Sequence, residues 1–208
     1  INRYGMTEAY VITGLPLDGP WPTGSVGLPL DGVERKVVDA DGTPVRPGEV
    51  GTVVIRGPNL FREYWRKPDA TQAAFASGWF DTGDLGTLDE AGFLTLVGRK
   101  NDLIITSGYN VYPQVVERVI SECPGVRECA VLGVSDAKRG ELVAAAVVAS
   151  DPSLDESRLR AWWSDRLVHY QQPKLVFFVD ALPRNSMGKV LRRELREQAE
   201  GGRMKDQG

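Results

Sequence analysis

The chain has 208 residues, of which 42% are hydrophobic and 25% are charged, and its formal net charge is −3. This composition is typical of a soluble globular protein with one sizeable domain or two small ones. The near balance of 25 basic and 28 acidic residues excludes a strong global field, so we expect no nucleic-acid partner. Apolar runs such as residues 142–149 are too short to cross a bilayer, so we expect no transmembrane segment.

The small numbers of cysteine and histidine residues restrict the kinds of site that the chain can form. Cys123 and Cys129 form no disulfide framework and are interpreted as buried thiols in a reducing cytoplasm, where we expect the protein to work. The single histidine, His169, argues against a histidine-rich metal site and a Ser-His-Asp triad. The chain also begins without methionine and enters a polar motif at once, so we expect it to be part of a longer protein.

In the first half of the chain, short apolar runs alternate with turn residues, which predicts a small antiparallel sheet. Residues 51–56 and 93–97 are predicted strands, and Asp41-Gly42 and residues 89–92 have the composition of tight turns. From about Gly98 onward, strands and helices alternate. Strands are predicted at 103–106, 128–134, 142–149 and 176–179.

Three helices complete the second half. The first is predicted to begin at Pro113, where a missing N–H costs nothing, and to bury Val115, Val116, Val119 and Ile120. The second has Asp155 as its N-cap and a hydrophobic staple of Leu154 and Leu159. The third is a basic helix over residues 190–198, with a frayed tail after Gly201-Gly202. The polar join at 98–102 suits a hinge between a β-rich unit and an α+β unit.

Four short motifs could carry chemistry, and each has a plain alternative. In residues 4–8, Tyr-Gly-Met-Thr-Glu, the aromatic ring could stack on a base, Thr7 could bond a phosphate and Glu8 could bind Mg²⁺ through a hard oxygen. A turn leading into a helix capped by Thr7 is the alternative. Residues 81–84, Asp-Thr-Gly-Asp, could accept the vicinal hydroxyls of a ribose or form an ordinary turn.

The other two motifs lie at and beyond the predicted hinge. Arg99 could reach a ribose or a phosphate, and Gly108 could let a slim ligand pass; a solvated arginine and a simple turn are the alternatives. Residues 184–189, Arg-Asn-Ser-Met-Gly-Lys, form a predicted flexible loop whose Lys189 could stabilise charge at a carboxylate attacking a phosphate. A basic surface helix is the alternative. A Walker A loop is excluded, because the first glycine and the Ser/Thr after the lysine are absent.

In this order, the motifs resemble the adenylate-forming superfamily of acyl-CoA synthetases, nonribosomal peptide synthetase adenylation domains and luciferases. The similarity extends from residue 1 to about residue 198. It implies an α+β fold: residues 1–98 would end the large AMP-binding domain as a β-rich, distorted barrel-like subdomain. Residues 99–208 would form a mobile C-terminal lid with a small sheet flanked by helices.

The resemblance also implies an activity and a set of site residues. ATP and Mg²⁺ would activate a carboxylic acid as an acyl-adenylate, and coenzyme A would then accept the acyl group after rotation of the lid. Catalytic roles fall to Lys189, Thr7 and Glu8, with Glu8 also the metal ligand. Nucleotide or pantetheine binding falls to Asn2, Tyr4, Gly5, Asp84, Arg99 and Gly108.

Two departures from the family pattern limit these expectations. Asn101 stands where the family usually has Asp or Lys as the hinge residue, although asparagine tolerates unusual backbone angles. The phosphate-binding loop and most of the acid pocket would lie upstream, so we expect this chain alone to be inactive and to need the N-terminal part of the same enzyme.

Several alternatives remain open. Residues 109–113 and 183–189 look most like those of the fatty acyl- and malonyl-CoA synthetase branches, and Arg3 could bind the second carboxylate of a malonyl-type acid. A carrier-protein thiol could replace coenzyme A as the acceptor. A noncatalytic truncated interaction module and a luciferase-like oxygenase are the remaining interpretations.

Overall fold

The structure, a computed structural model, describes residues 2–206, with side chains as far as residue 201. The chain forms two compact units, unit 1 (Ile1–Asn101) and unit 2 (Asp102–Gly208). This boundary lies three residues after the predicted one. The roles that the resemblance implies for the two parts, as the end of a large domain and as a mobile lid, stay predictions.

Unit 1 is built on one eight-stranded antiparallel sheet and a short helix. The strand order is β1-β2-β3-β8-β7-β5-β4, with β6 paired to β7. The α+β class is confirmed, but within the described residues the sheet stays open, with β1 and β4 at its two ends, and is not barrel-like. The elements are β1 Arg3–Met6, β2 Tyr10–Gly14, β3 Ser25–Pro29, β4 Glu34–Val38, β5 Gly51–Arg56, α1 Pro68–Ala74, β6 Phe75–Ala76, β7 Trp79–Leu88 and β8 Leu94–Arg99.

The unit 1 core forms where alternate side chains of these strands point to one face. In β5, Val53 and Ile55 are fully buried because the strand period of two places both on the inner face. The predicted turns are confirmed: Gly42 and Gly92 adopt φ of 80° and 83°, which glycine reaches without a steric cost. The core residues include Tyr4, Ile12, Val37, Val53, Ile55, Phe80 and Leu94.

Unit 2 is a five-stranded sheet with helices on both faces. Its order is β10-β9-β12-β11, and β13 runs parallel to β12. Alternation along the long β11–β12 hairpin gives two cores: Val131 and Val143 face α2 and α3, whereas Leu132 and Ala144 face α4. The elements are β9 Ile104–Thr106, β10 Tyr109–Val111, α2 Pro113–Ser121, β11 Val126–Asp136, β12 Gly140–Ala149, α3 Glu156–Trp163, β13 Leu175–Phe178 and α4 Arg192–Asp206.

The helix predictions for unit 2 are mostly confirmed. Helix α2 begins at Pro113 and buries Val116 and Ile120, but Val115 is exposed and its predicted burial is wrong. Successive residues of a helix are rotated by about 100°, so Val115 points away from the buried stripe that Val116 and Ile120 form. The Asp155 side chain caps α3 by accepting from the Arg158 amide at 2.8 Å.

Three further expectations have a structural outcome. Helix α4 begins at Arg192 and continues to Asp206, so the backbone after Gly201 is helical as far as the structure describes it. Both cysteines are free, with Cys123 buried and Cys129 half-buried, and burial raises the pKa of the Cys129 thiol to about 12. No helix within residues 2–206 has the length and apolar character that a membrane span requires.

Candidate functional site

A buried carboxylate, Asp84, is the centre of the candidate site in unit 1. It lies on β7 directly opposite Arg99 on β8, and Tyr4 reaches it from β1. The Tyr4 hydroxyl donates to Oδ2 at 2.6 Å, and Arg99 Nε lies 3.2 Å from Oδ1. Three residues chosen from three separate sequence motifs therefore meet at one carboxyl group.

The local backbone of β7 holds this carboxylate in place. The buried Thr82 hydroxyl donates to the Val53 carbonyl at 2.7 Å and accepts from the Asp84 amide at 3.1 Å. Gly83 adopts φ of 70°, and its amide donates to the Asp81 carboxylate at 2.8 Å. Thr82, which has no role of its own among the sequence predictions, anchors the turn through these two hydrogen bonds.

The electrostatics keep Tyr4 a neutral donor. Burial, and then the hydrogen bond to Asp84, raise the pKa of the Tyr4 phenol far above its ordinary value. Tyr4 is 7% exposed and packs in the unit 1 core, so little of its ring is open to a stacked base. The Arg99 side chain is 59% exposed, so one side of the Asp84 group borders solvent. A carboxylate so held can accept two hydroxyl donors.

The remaining residues of the first motif form a tight turn between β1 and β2, so the alternative of a helix capped by Thr7 is wrong because strand β2 follows the turn. A β-carbon on Gly5 would overlap the Tyr10 carbonyl, so this glycine is required by the hairpin's own backbone. Thr7 is exposed at the tip of the turn, and Glu8 is half-buried beside it. Asn2 donates its side-chain amide to the Ser25 carbonyl at 3.0 Å, which fixes it against β3.

Glu8 has a partner that sequence reasoning did not single out as a site residue. The Tyr64 hydroxyl donates to Glu8 Oε1 at 3.0 Å, and the Phe61 amide donates to the Glu8 carbonyl at 2.8 Å. Burial, followed by the bond to Glu8, raises the pKa of Tyr64. The signal in the sequence for this partner was the tyrosine hydroxyl itself.

The surroundings of Glu8 fit a magnesium ion that is held mainly by phosphates. The carboxylate is half-buried and keeps acceptor capacity beyond its bond to Tyr64. In residues 2–206 no cluster of three or more His, Cys, Asp or Glu side chains could hold a metal. One carboxylate with substrate phosphates and water is a usual set of ligands for Mg²⁺.

In unit 2, Ser107 and Gly108 form the two-residue turn that joins β9 to β10. Both have positive φ, 51° and 83°, and the Ser107 amide donates to the Arg139 carbonyl at 2.8 Å. Among the residues that the structure describes, no atom apart from those of the two chain neighbours lies within 4 Å of a β-carbon built on Gly108, so the space beside this turn is open. Tyr109 stacks on Tyr170 with ring centroids 4.6 Å apart. Together they border a cavity of about 100 Å³ that is also lined by Thr106, Arg139, His169 and Lys174.

The lysine loop, residues 184–189, is a hydrogen-bonded turn, and its predicted flexibility stays a prediction. Asn185 Oδ1 accepts from the amides of Met187 and Lys189 at 3.0 and 2.9 Å, and Gly188 closes the turn with φ of 79°. Arg184 braces it by donating to the Gly188 carbonyl at 2.8 Å. The side chain of Lys189 is exposed and has no ion-pair partner within residues 2–206.

Two family models match the chain. The AMP-binding enzyme model matches residues 1–65, and the model of the AMP-binding enzyme C-terminal domain matches residues 115–189. A long-chain-fatty-acid–CoA ligase of Escherichia coli O157:H7 is 46% identical over 202 residues, which are 97% of this chain and 36% of the relative. A 2-succinylbenzoate–CoA ligase of Geobacillus kaustophilus is 44% identical over 94% of this chain and 40% of its own length.

The solved structures give the same result. ATP-bound MatB from Rhodopseudomonas palustris superposes with a TM-score of 0.90 at 44% identity, over 94% of this chain and 40% of that protein. The chain thus spans about two fifths or less of the relatives that it matches. On the family models, the sequence identity and the shared fold, the chain belongs to the adenylate-forming family of AMP-binding enzymes.

Proposed function

We propose that the chain is part of an ATP-dependent, AMP-forming acid–thiol ligase. A carboxylic acid attacks the α-phosphate of ATP to give an acyl-adenylate and pyrophosphate, and the thiol of coenzyme A then displaces AMP. The observation that carries this proposal is Asp84, a buried carboxylate held by Tyr4 at 2.6 Å and by Arg99 at 3.2 Å. The names of the relatives, which are CoA ligases for chemically different acids, support the reaction class.

In this proposal, unit 1 binds the nucleotide. Asp84 accepts both ribose hydroxyls, and Arg99 pairs with the carboxylate and orients it for them. Thr7 donates to a phosphate oxygen from the exposed tip of its turn, and Asn2, Tyr4 and Gly5 border the base. Glu8 would hold Mg²⁺, which when bound neutralises phosphate charge.

The proposed roles in unit 2 belong to Lys189 and Gly108. The exposed ammonium of Lys189 stabilises the negative charge that develops between the attacking carboxylate and the α-phosphate. The open space beside Gly108 would admit the pantetheine arm of coenzyme A. Asn101, the exposed last residue of unit 1, would act as the hinge residue.

For the acid itself, we propose an acyl chain of the fatty or malonyl type. Arg3 lies exposed on β1, next in sequence to Tyr4, and could pair with a second carboxylate. Comparing the turnover of malonate with that of octanoate by the full-length protein decides between the two. If Arg3 binds the second carboxylate, Arg3→Gln lowers malonate turnover and leaves octanoate turnover unchanged.

The test separates the two half-reactions in the full-length protein. Pyrophosphate exchange across a panel of carboxylic acids measures adenylate formation, and thioester release from a supplied acyl-adenylate measures transfer. We expect Lys189→Ala to lower adenylate formation by about a hundredfold or more, on the scale of losing a charge-stabilising donor, while transfer is largely kept. Lys138 is an exposed lysine on the turn between β11 and β12, so Lys138→Ala is the matched control and should leave both half-reactions unchanged.

Two results would contradict the proposal. Equal loss of both half-reactions in Lys189→Ala would remove the assigned role of Lys189. Absence of pyrophosphate exchange with every acid, in wild-type protein that binds ATP, would favour a noncatalytic interaction module. Transfer to a carrier-protein thiol in place of coenzyme A would change the acceptor but keep the adenylation step.

A further inference from the structure

Arg192, the first residue of α4, makes a set of contacts that the proposed chemistry does not use. Its Nη2 lies 2.8 Å from Glu117 Oε1, its Nη1 lies 3.5 Å from Asp102 Oδ2, and its Nε donates to the Val131 carbonyl at 3.3 Å. These partners belong to α2, to the first residue of unit 2 and to the strand β11. One planar guanidinium thus joins three separate segments of unit 2.

The contact with β11 is completed by Glu117. The Val131 amide donates to Glu117 Oε1 at 2.9 Å, while the Val131 carbonyl accepts from Arg192. Strand β11 lies at the edge of its sheet, where backbone groups lack a neighbouring strand. The Glu117–Arg192 pair therefore supplies the missing donor and acceptor at one edge residue, and it ties α4 to that residue in return.

The same strand holds the other end of the lysine loop. Arg184 pairs with Glu128 of β11 at 2.8 Å, and Glu128 lies three residues before Val131. The Leu191 amide closes the base of the loop on the Pro183 carbonyl at 2.8 Å. The loop that carries Lys189 is therefore attached to β11 on both sides, by Arg184 at its start and by Arg192 three residues after the lysine.

We propose that Arg192 is a positioning residue that fixes the lysine loop against β11, α2 and Asp102, and thereby sets the geometry of the Lys189 ammonium. This inference rests on the proposed role of Lys189 in adenylate formation. A charge-stabilising group acts through its position, and small displacements lower the rate steeply. This role acts through the loop and requires no contact between the Arg192 side chain and the reacting atoms.

The test compares Arg192→Gln with Arg193→Gln in the full-length enzyme. Arg193 is the matched control, because its side chain is 84% exposed and pairs only loosely with Glu197, at 3.7 Å. We expect Arg192→Gln to lower adenylate formation by about tenfold to a hundredfold, with the KM for ATP and the transfer half-reaction little changed. Arg193→Gln should match the wild type.

Two additional variants distinguish positioning from a general structural role. Arg192→Lys keeps the charge beside Glu117 but loses the planar fork, so we expect partial rescue; it also serves if the glutamine variant does not fold. In the Lys189→Ala background, Arg192→Gln should cause no further loss of adenylate formation, because residues that act as a unit are non-additive. Equal loss of both half-reactions, or a loss that adds to that of Lys189→Ala, would overturn the inference.

Hydrogen exchange provides a readout that does not depend on activity. We expect the amides of Asn185 and Leu191, which close the loop, to exchange faster in Arg192→Gln than in Arg193→Gln. Exchange at the same rate in both variants would overturn the positioning role. If the wild-type enzyme formed no adenylate, the proposed function would fail, while this comparison would still decide whether Arg192 fixes the loop.

Discussion

Asp84 illustrates how much of the site depends on single residues. Its carboxylate is buried in unit 1, and the Tyr4 phenol and the Arg99 guanidinium stabilise it there by contacting its two oxygens. Removing a donor to a buried charge costs more than removing an ordinary hydrogen bond, because the ion loses solvation that water cannot replace. Tyr4 is therefore both a core residue and the support of the candidate ribose-binding group.

Tyr4→Phe tests this support directly. The substitution keeps the ring in the core and removes only the 2.6 Å bond to Asp84. We expect the free energy of unfolding to fall by about 1.5–3 kcal/mol, as for a hydrogen bond to a charged group. Urea denaturation of the variant and the wild type measures the difference.

Tyr10→Phe is the control for this measurement, since Tyr10 is 79% exposed. It should leave the urea midpoint unchanged. A Tyr4→Phe variant as stable as this control would mean that the Asp84 carboxylate does not depend on the phenol.

The pairing of Tyr4 with Asp84 could not be predicted from the sequence, because the two residues are 80 positions apart and each fits a local motif equally well without the other.

At the scale of elements, the hairpin β11–β12 supports the turn that carries Gly108. Glu141, at the start of β12, accepts from the Ile105 amide of β9 at 2.8 Å. Its carboxylate lies over Gly133 of β11, where a β-carbon would overlap it. The absence of a side chain at Gly133 therefore leaves room for the Glu141 carboxylate, which reaches from β12 to the neighbouring strand β9.

Gly133→Ala tests this arrangement. The added methyl group should displace the flexible Glu141 side chain, because the strand backbone is the stiffer of the two. We expect a loss of about 1 kcal/mol of unfolding free energy, the value of one hydrogen bond, and faster hydrogen exchange at the Ile105 amide. Exchange measured by NMR gives the second quantity.

Gly14→Ala on β2 is the comparison for this substitution, since the nearest atom to its added β-carbon lies at 3.8 Å. It should have little effect on stability. Unchanged exchange at Ile105 in Gly133→Ala would show that Glu141 is not displaced.

The positions of the helices and strands were largely predictable from the sequence, because hydrophobic periodicity and turn residues are local signals. The order of the lysine loop was not, since it depends on Asn185 and on Arg184 reaching Gly188 and β11.

At the scale of the whole molecule, each unit has its own hydrophobic core. Unit 2 packs one cluster around Val131, Ile120 and Trp163, and a second around Leu132 and Leu195, on opposite faces of one sheet. Domains with a closed core of this kind can fold independently. Residues 102–208 should therefore fold without unit 1.

Expression of residues 102–208 alone tests this expectation. We expect a cooperative thermal transition and dispersed amide resonances, because the buried side chains of both clusters come from within the unit. As a control, Trp163→Ala should lower the midpoint strongly, since truncating a fully buried aromatic residue costs about 3–5 kcal/mol. A fragment with helical content but no cooperative transition would mean that unit 2 needs unit 1 to pack.

The α+β class, most strand and helix positions and the family could all be predicted from the sequence, because they follow from local periodicity, turn chemistry and ordered motifs. The sequence also selected Asp84, Arg99 and Lys189 as candidates. The three-dimensional structure was needed to show that the unit 1 sheet is open, that Tyr4 and Arg99 share one carboxylate, and that Arg184 and Arg192 hold the lysine loop. These features depend on contacts between residues far apart in the chain, which a local pattern does not specify.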